Sequence, residues 1–371
     1  MDAAQLAATT WAVLLSTLAL SVALGAVMHA SHFCTMGAIS DAVLMQDTSR
    51  LKQWALAAAV AILGFAVMHY LGWIDPRNSI YGSPKLLWLT SLFGGGLFGV
   101  GMVLASGCTS KALVRLGAGN LKSFVVLLVT GVFGLATLKG LLAMWRVNML
   151  ETVYVLAPAP AFFGTWLAGQ SGWTVPQASA AAALCMGGAL GAWSLQGGGR
   201  ESRSILWAGL SVGAAVVAMW WITGVLGHGL EHPETLEEFF VATSSGRMES
   251  LSFTSPVAMA LDAFMYFSDG TKRLTVGMVS VFGVVLGAYV HALWTGSFRW
   301  EGFVNRADLV RHVVGAALMG VGGVTAMGCT IGQGLSGLST LSWMSALTLI
   351  SIGLGACLTL TWQFRQLERK A

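Results

Sequence analysis

The chain has 371 residues, of which 56% are apolar and only 10% charged, and its mean hydropathy is +0.73. A soluble domain of this length needs no such apolar excess, so the composition places the chain among integral membrane proteins. The net charge of +4 is too small to imply a nucleic-acid partner.

About 20 apolar residues cross a bilayer. Taken in chain order, nine segments reach that length: 8–29, 53–74, 86–106, 123–145, 175–196, 205–226, 275–295, 311–328 and 343–362. Asp2 and the lack of Lys or Arg before the first run do not fit a secretory signal, so the first segment reads as a retained span. The 47 glycines sit largely inside these apolar runs, where small residues let membrane helices approach closely. Four apolar segments are too short to cross: 34–46, 108–118, 254–267 and 329–339. They begin at Cys34, Cys108, Ser255 and Cys329, and read as half-helices ending at membrane depth. Irregular backbone at that depth is tolerated only when buried in protein or lining a cavity, so these four starts mark the candidate pathway.

The chain repeats itself. Residues 97–109, ending Gly107-Cys108-Thr109, return as residues 318–330, ending Gly328-Cys329-Thr330, with nine of thirteen positions identical at an offset of 221. The same offset pairs Cys34 with Ser255 and Asp41 with Asp262. The reading is therefore a repeat over 1–145, a connecting segment over 146–204 with one span, and a second repeat over 205–371. Four spans per repeat and a single linking span invert the second repeat relative to the first, as in transporters built around a midplane site. The expected fold is all-α: about nine transmembrane helices and four half-helices in two inverted repeats, forming an hourglass.

Thirteen Lys and Arg residues fall on the side of the C-terminus and six on the other, which puts the N-terminus outside and the C-terminus in the cytoplasm. The glutamate-bearing 227–274 segment (Glu231, Glu234, Glu237, Glu238) is then external.

Five cysteines without a CxxC pair argue against a disulfide framework or a zinc site, and no metal or other cofactor is expected. Cys185 and Cys357 lie within ordinary spans and read as small hydrophobes. Cys108 and Cys329 recur at one position of both repeats, at helix starts whose free N–H groups favour an anion. A thiol adds a weak donor and a soft, polarizable sulfur, which suits a sulfur-bearing anion better than a hard one. Ser255 offers a hydroxyl in the fourth place.

Three stretches carry a resemblance: Gly-Cys-Thr-Ile-Gly-Gln-Gly-Leu-Ser-Gly-Leu-Ser at 328–339, Ser-Gly-Cys-Thr at 106–109 and Phe-Cys-Thr-Met-Gly-Ala-Ile-Ser-Asp at 33–41. With them, the chain resembles the YeeE/YedE sulfur-transport family over nearly its whole length. The resemblance implies a bacterial inner-membrane importer of thiosulfate or a related sulfur anion, with functional cysteines at Cys34, Cys108 and Cys329. It also implies hand-over to a TusA-like cytoplasmic sulfur carrier, a domain this chain does not contain. Some relatives handle selenium or other sulfur species. A membrane thiol–disulfide oxidoreductase is the alternative from another class, and its exchange chemistry calls for paired cysteines. No GxxxxGK[ST] loop is present to couple transport to a nucleotide.

Around the thiols, Lys111 and Arg115 follow Cys108 one helical turn apart, as a cationic cytoplasmic exit or as ordinary positive-inside bias. Asp41 and Asp262 read as partners for basic residues or helix ends. Lys139 reads as snorkelling to the outer interface. His29, His32, His69 and His291 lie near span ends and read as interfacial or packing residues.

Overall fold

A computed structural model describes residues 3–156, 162–196, 200–231, 237–269 and 273–368. Glu234, Lys272, Arg369, Lys370 and the side chain of Arg200, all part of the charge reading, lie outside what is described. Among the described residues, nine helical segments are long and apolar enough to cross a membrane.

The first half comprises α1 (Ala3–Ser31), the short α2 (Thr35–Ser40, continued by a π turn over Asp41–Met45), α3 (Ser49–Tyr70), α4 (Trp88–Leu104), the short α5 (Thr109–Gly117) and α6 (Leu121–Lys139). A connecting region holds α7 (Leu141–Trp145), α8 (Phe163–Ser171) and α9 (Val175–Leu195). The second half comprises α10 (Arg200–Trp221), the short α11 (Thr254–Met265), α12 (Val276–Trp294), α13 (Arg306–Thr325), a π turn over Gly332–Gly337, and α14 (Trp343–Glu368). Polar residues mark the starts. Asn120 accepts from the Ser123 amide at 3.0 Å and Asn305 from the Asp308 amide at 2.8 Å. Each satisfies a donor that the first turn of a helix leaves free.

The halves interleave about a two-fold. α1 packs on α12 as α3 packs on α10, and α4 packs on α14 as α6 packs on α13. At the axis α4 packs on α13, and the glycines there show the symmetry directly. A Cβ added at Gly94 would lie 2.8 Å from the Gly322 carbonyl, and one at Gly322 would lie 2.6 Å from the Gly94 carbonyl. Gly101 and Gly315 oppose each other in the same way, at 2.6 and 2.7 Å. Gly315 and Gly322 lie 221 residues beyond Gly94 and Gly101. Each glycine thus faces the repeat-mate of the other, and the reversed order along the chain makes α4 and α13 antiparallel. The contact is self-complementary, which is what an inverted repeat requires.

Among the described residues the connecting region holds one candidate span, α9, and beside it the short α8, which folds back onto α9 through Gly172, whose φ of +70° is the left-handed conformation that glycine adopts without strain. The register of the short helices departs from the sequence reading. A fixed offset pairs Cys34 with Ser255, but α2 is capped by Cys34 and α11 by Phe253. Ser255 lies one residue inside α11 and is half-buried. Two-residue strands, β1 (Lys85–Leu86) with β2 (Val155–Leu156) and β3 (His228–Gly229) with β4 (Phe239–Phe240), clip the connecting loops.

Candidate functional site

Each waist thiol is placed by a helix that stops at depth. Six described non-glycine residues have positive φ, and three of them stand two residues before a waist cysteine: His32 (φ 52°), Ser106 (φ 58°) and Met327 (φ 56°). Behind Ser106 and Met327 the ending is a Schellman motif. The Gly107 amide bonds the Met102 carbonyl and the Ser106 amide that of Val103; Gly328 and Met327 bond Gly323 and Val324 likewise. The motif satisfies carbonyls that would otherwise be left free in an apolar interior. A left-handed non-glycine residue costs on the order of 1 kcal/mol, a strain borne at the turns that deliver Cys108 and Cys329 to the waist. Gly107 and Gly328 are the residues that link each turn to its thiol.

Cys108 and Cys329 are fully buried and Cys34 is 5% exposed, so the waist is closed in this conformation. All five cysteines are free thiols. The Gly37 amide donates to Cys34 Sγ at 3.3 Å, the Gly332 amide donates to Cys329 Sγ at 3.5 Å, and Cys108 Sγ lies 3.3 Å from Ser110 Oγ. The thiols of Cys34 and Cys108 face one another, and Cys108 also faces the Thr330 hydroxyl beside Cys329. The three sequence-predicted cysteines therefore form one connected cluster. Cys185 is exposed on α9 and Cys357 half-buried on α14, away from it, as their sequence positions suggested.

A threonine follows the capping residue of three short helices, Thr35, Thr109 and Thr254, and Thr330 follows Cys329 just ahead of the π turn. Thr109 and Thr254 lie 3.0 Å apart, hydroxyl to hydroxyl. Thr35 and Thr254 were not singled out from the sequence. The Cys-Thr pair at 34–35 was a usable signal, but Thr254 follows a phenylalanine, and only the structure aligns it.

The 328–339 motif is a knot of short contacts. Gln333 donates to the Ala326 carbonyl at 2.7 Å and accepts from Ser345 at 2.6 Å, tying the end of α13 to the start of α14. Ser336 donates to the Leu251 carbonyl, and Trp220 donates through Nε1 to Ser339. From the loop after α3, the Tyr81 hydroxyl donates to the Gly332 carbonyl, three residues beyond Cys329.

Beyond Cys34 and Cys108 a cavity of about 330 Å³ is lined by Arg50, Lys111, Arg115 and Arg299, with His29, His32 and a single carboxylate, Glu301. Lys111 and Arg115 thus share one concave surface with two cations from other elements. A positive-inside bias alone does not explain that convergence. Arg50 pairs with Asp41 at 3.3 Å, and Lys139 with Asp262 at 3.0 Å, so both aspartates have the basic partners expected of them. His29 and His291 meet Nδ1 to Nδ1 at 2.9 Å.

The nine apolar helices among the described residues, two inverted halves and a polar waist buried between half-helices define a membrane transporter of the inverted-repeat class. The sulphur transport family matches residues 30–358, and the chain belongs to that family. It is a family of transporters, not of enzymes. Two curated relatives are both described as thiosulfate transporter TsuA. The protein of Spirochaeta thermophila is 28% identical over 339 residues, covering 88% of this chain and 92% of its own. That of Escherichia coli is 24% identical over 367 residues, covering 95% of each chain.

Proposed function

We propose that this protein imports thiosulfate across the bacterial inner (plasma) membrane, with the N-terminus outside and the C-terminus in the cytoplasm. The observation that carries the reading is the continuous run from Cys329, through Thr330 to Cys108, and on to Cys34 above the basic cavity. Thiosulfate enters from the Tyr81 side and meets Cys329 first. Cys108 receives it at the waist, and Cys34 releases it toward Lys111 and Arg115. Gly107 and Gly328 bring the backbone close, and Thr109 and Ser255 complete the polar lining. At each step S–H groups hydrogen-bond the terminal sulfur and water is replaced one site at a time. Several weak sites admit an anion without trapping it. The names of the two relatives support the choice of anion. A TusA-like sulfur carrier is the partner that takes the product at the cytoplasmic face, and membrane lipid covers the exposed helices.

The test is uptake of radiolabelled thiosulfate by proteoliposomes. Saturable uptake, competed by unlabelled thiosulfate more strongly than by sulfate, is expected. No uptake of thiosulfate, with entry of a selenium oxyanion in its place, would keep the fold and overturn the substrate.

A further inference from the structure

The two-fold relates not only the long helices but the four starts at the waist, and there it is broken. Thr109, which opens the second short helix of repeat one, contacts Thr254, which opens the first short helix of repeat two. Counted from the helix starts, the corresponding pair is Thr330 and Thr35. If the waist were symmetric, these two hydroxyls would meet as Thr109 and Thr254 do. They do not. Four buried side-chain hydroxyls lack a hydrogen-bond partner among the described residues, namely Ser21, Thr35, Thr325 and Thr330. Thr35 and Thr330 each directly follow a waist thiol, and they are 5% and 0% exposed. The same asymmetry appears in the caps: Phe253, fully buried, holds on the paired side the place that Cys34 holds on the unpaired one. One side of the waist is sealed by an aromatic ring and a hydroxyl–hydroxyl bond. The other presents two thiols, the Thr35 hydroxyl, which has no partner among the described residues, and the Thr330 hydroxyl, which faces only the weakly bonding thiol of Cys108.

A buried hydroxyl without a partner is costly, and membranes supply no water to relieve it. Such a pair persists where a ligand completes it. We propose that Thr35 and Thr330 form the oxygen-binding half of the waist site, donating to the oxygens of a sulfur oxyanion while the Cys108 thiol meets its terminal sulfur. This rests on the transport reading above and sharpens it. The substrate class is an anion with hard oxygens at one end and a soft sulfur at the other. Sulfate satisfies only the hydroxyls, and hydrosulfide only the thiols. The oxyanion end is then held on the Thr35 and Thr330 side of the waist, across from the Thr109–Thr254 contact.

The experiment compares thiosulfate uptake kinetics in proteoliposomes for wild type, Thr35→Val, Thr330→Val, Thr330→Ser and Thr254→Val, with melting of each purified protein recorded with and without thiosulfate. Loss of one hydrogen bond to a charged ligand corresponds to about a tenfold rise in KM. That rise is expected for Thr35→Val and Thr330→Val, together with loss of the thiosulfate-induced rise in melting temperature. Thr330→Ser restores both. Thr254→Val lowers melting temperature but changes KM by less than about twofold, the scale of a contact not made to the ligand. Should a valine variant fail to fold, the alanine replaces it, removing the hydroxyl without its bulk. Unchanged KM in the Thr35 and Thr330 variants, or an equal rise in Thr254→Val, overturns the proposal while leaving transport intact. A wild type that neither imports thiosulfate nor is stabilised by it overturns the transport reading and this one together.

Discussion

At the scale of single residues, five chemically identical thiols have unlike surroundings. Cys34, Cys108 and Cys329 sit buried behind helix-ending turns, whereas Cys185 and Cys357 sit on span surfaces. Replacing Cys108 with Ala therefore should lower thiosulfate uptake by about a hundredfold or more, the scale expected when a buried site loses its central thiol and a partner is left unsatisfied. Membrane yield and melting should stay near wild type. Cys185→Ala and Cys357→Ala should transport normally, and a loss of uptake in either would contradict the assignment of the pathway. This distinction was legible in the sequence, because Gly-Cys-Thr recurs at one offset while Cys185 and Cys357 have no counterpart. Thr254 was not, because its hydroxyl acquires meaning only through Thr109, 145 positions away. Ser255 drew attention in its place, since a fixed offset cannot reveal that one copy of a half-helix starts two residues earlier than its mate.

At the scale of elements, the antiparallel contact of α4 with α13 depends on glycines whose missing side chains are filled by opposing backbone. An added methyl at Gly101 would lie 2.6 Å from the Gly315 carbonyl and 2.7 Å from the Met319 amide. Backbone on a packed helix cannot give way cheaply, so Gly101→Ala should destabilise by roughly 1–3 kcal/mol, as overpacking does. Gly353→Ala on α14 is the control. Nothing lies within 4 Å of its added Cβ, so relief of glycine's helix penalty should leave it neutral or stabilised by up to about 1 kcal/mol. Thermal melting in detergent separates the two, and equal melting temperatures would contradict the packing argument. The glycines inside apolar runs are visible in the sequence, but which of them face backbone is not, because position along one helix does not specify the partner helix. The long helices were the most legible elements, since apolar length alone marks a span. Short α8, with Trp166 exposed, falls below that length.

At the scale of the whole molecule, the arrangement is a closed waist between the Tyr81 contact with the Gly332 carbonyl and a basic cavity lined by Lys111 and Arg115. The cavity gathers Arg50, Lys111, Arg115 and Arg299 from three regions of the chain, and such convergence draws anions toward the site. Lys111→Glu should slow uptake by about tenfold, and more steeply at low salt, where screening is weakest. Salt-independent, wild-type uptake would restore ordinary positive-inside bias as the explanation. Orientation is tested apart from transport: a reporter that fluoresces only in the cytoplasm, fused after Ala371, should be bright, and a dark fusion would reverse the sidedness assigned to Cys34 and Cys329.

The most direct single measurement is uptake of radiolabelled thiosulfate by proteoliposomes holding wild type or Cys329→Ala, with matched melting temperatures. Saturable uptake in the wild type and its loss in the variant are the expected result. Equal uptake by both would contradict passage over the waist thiols.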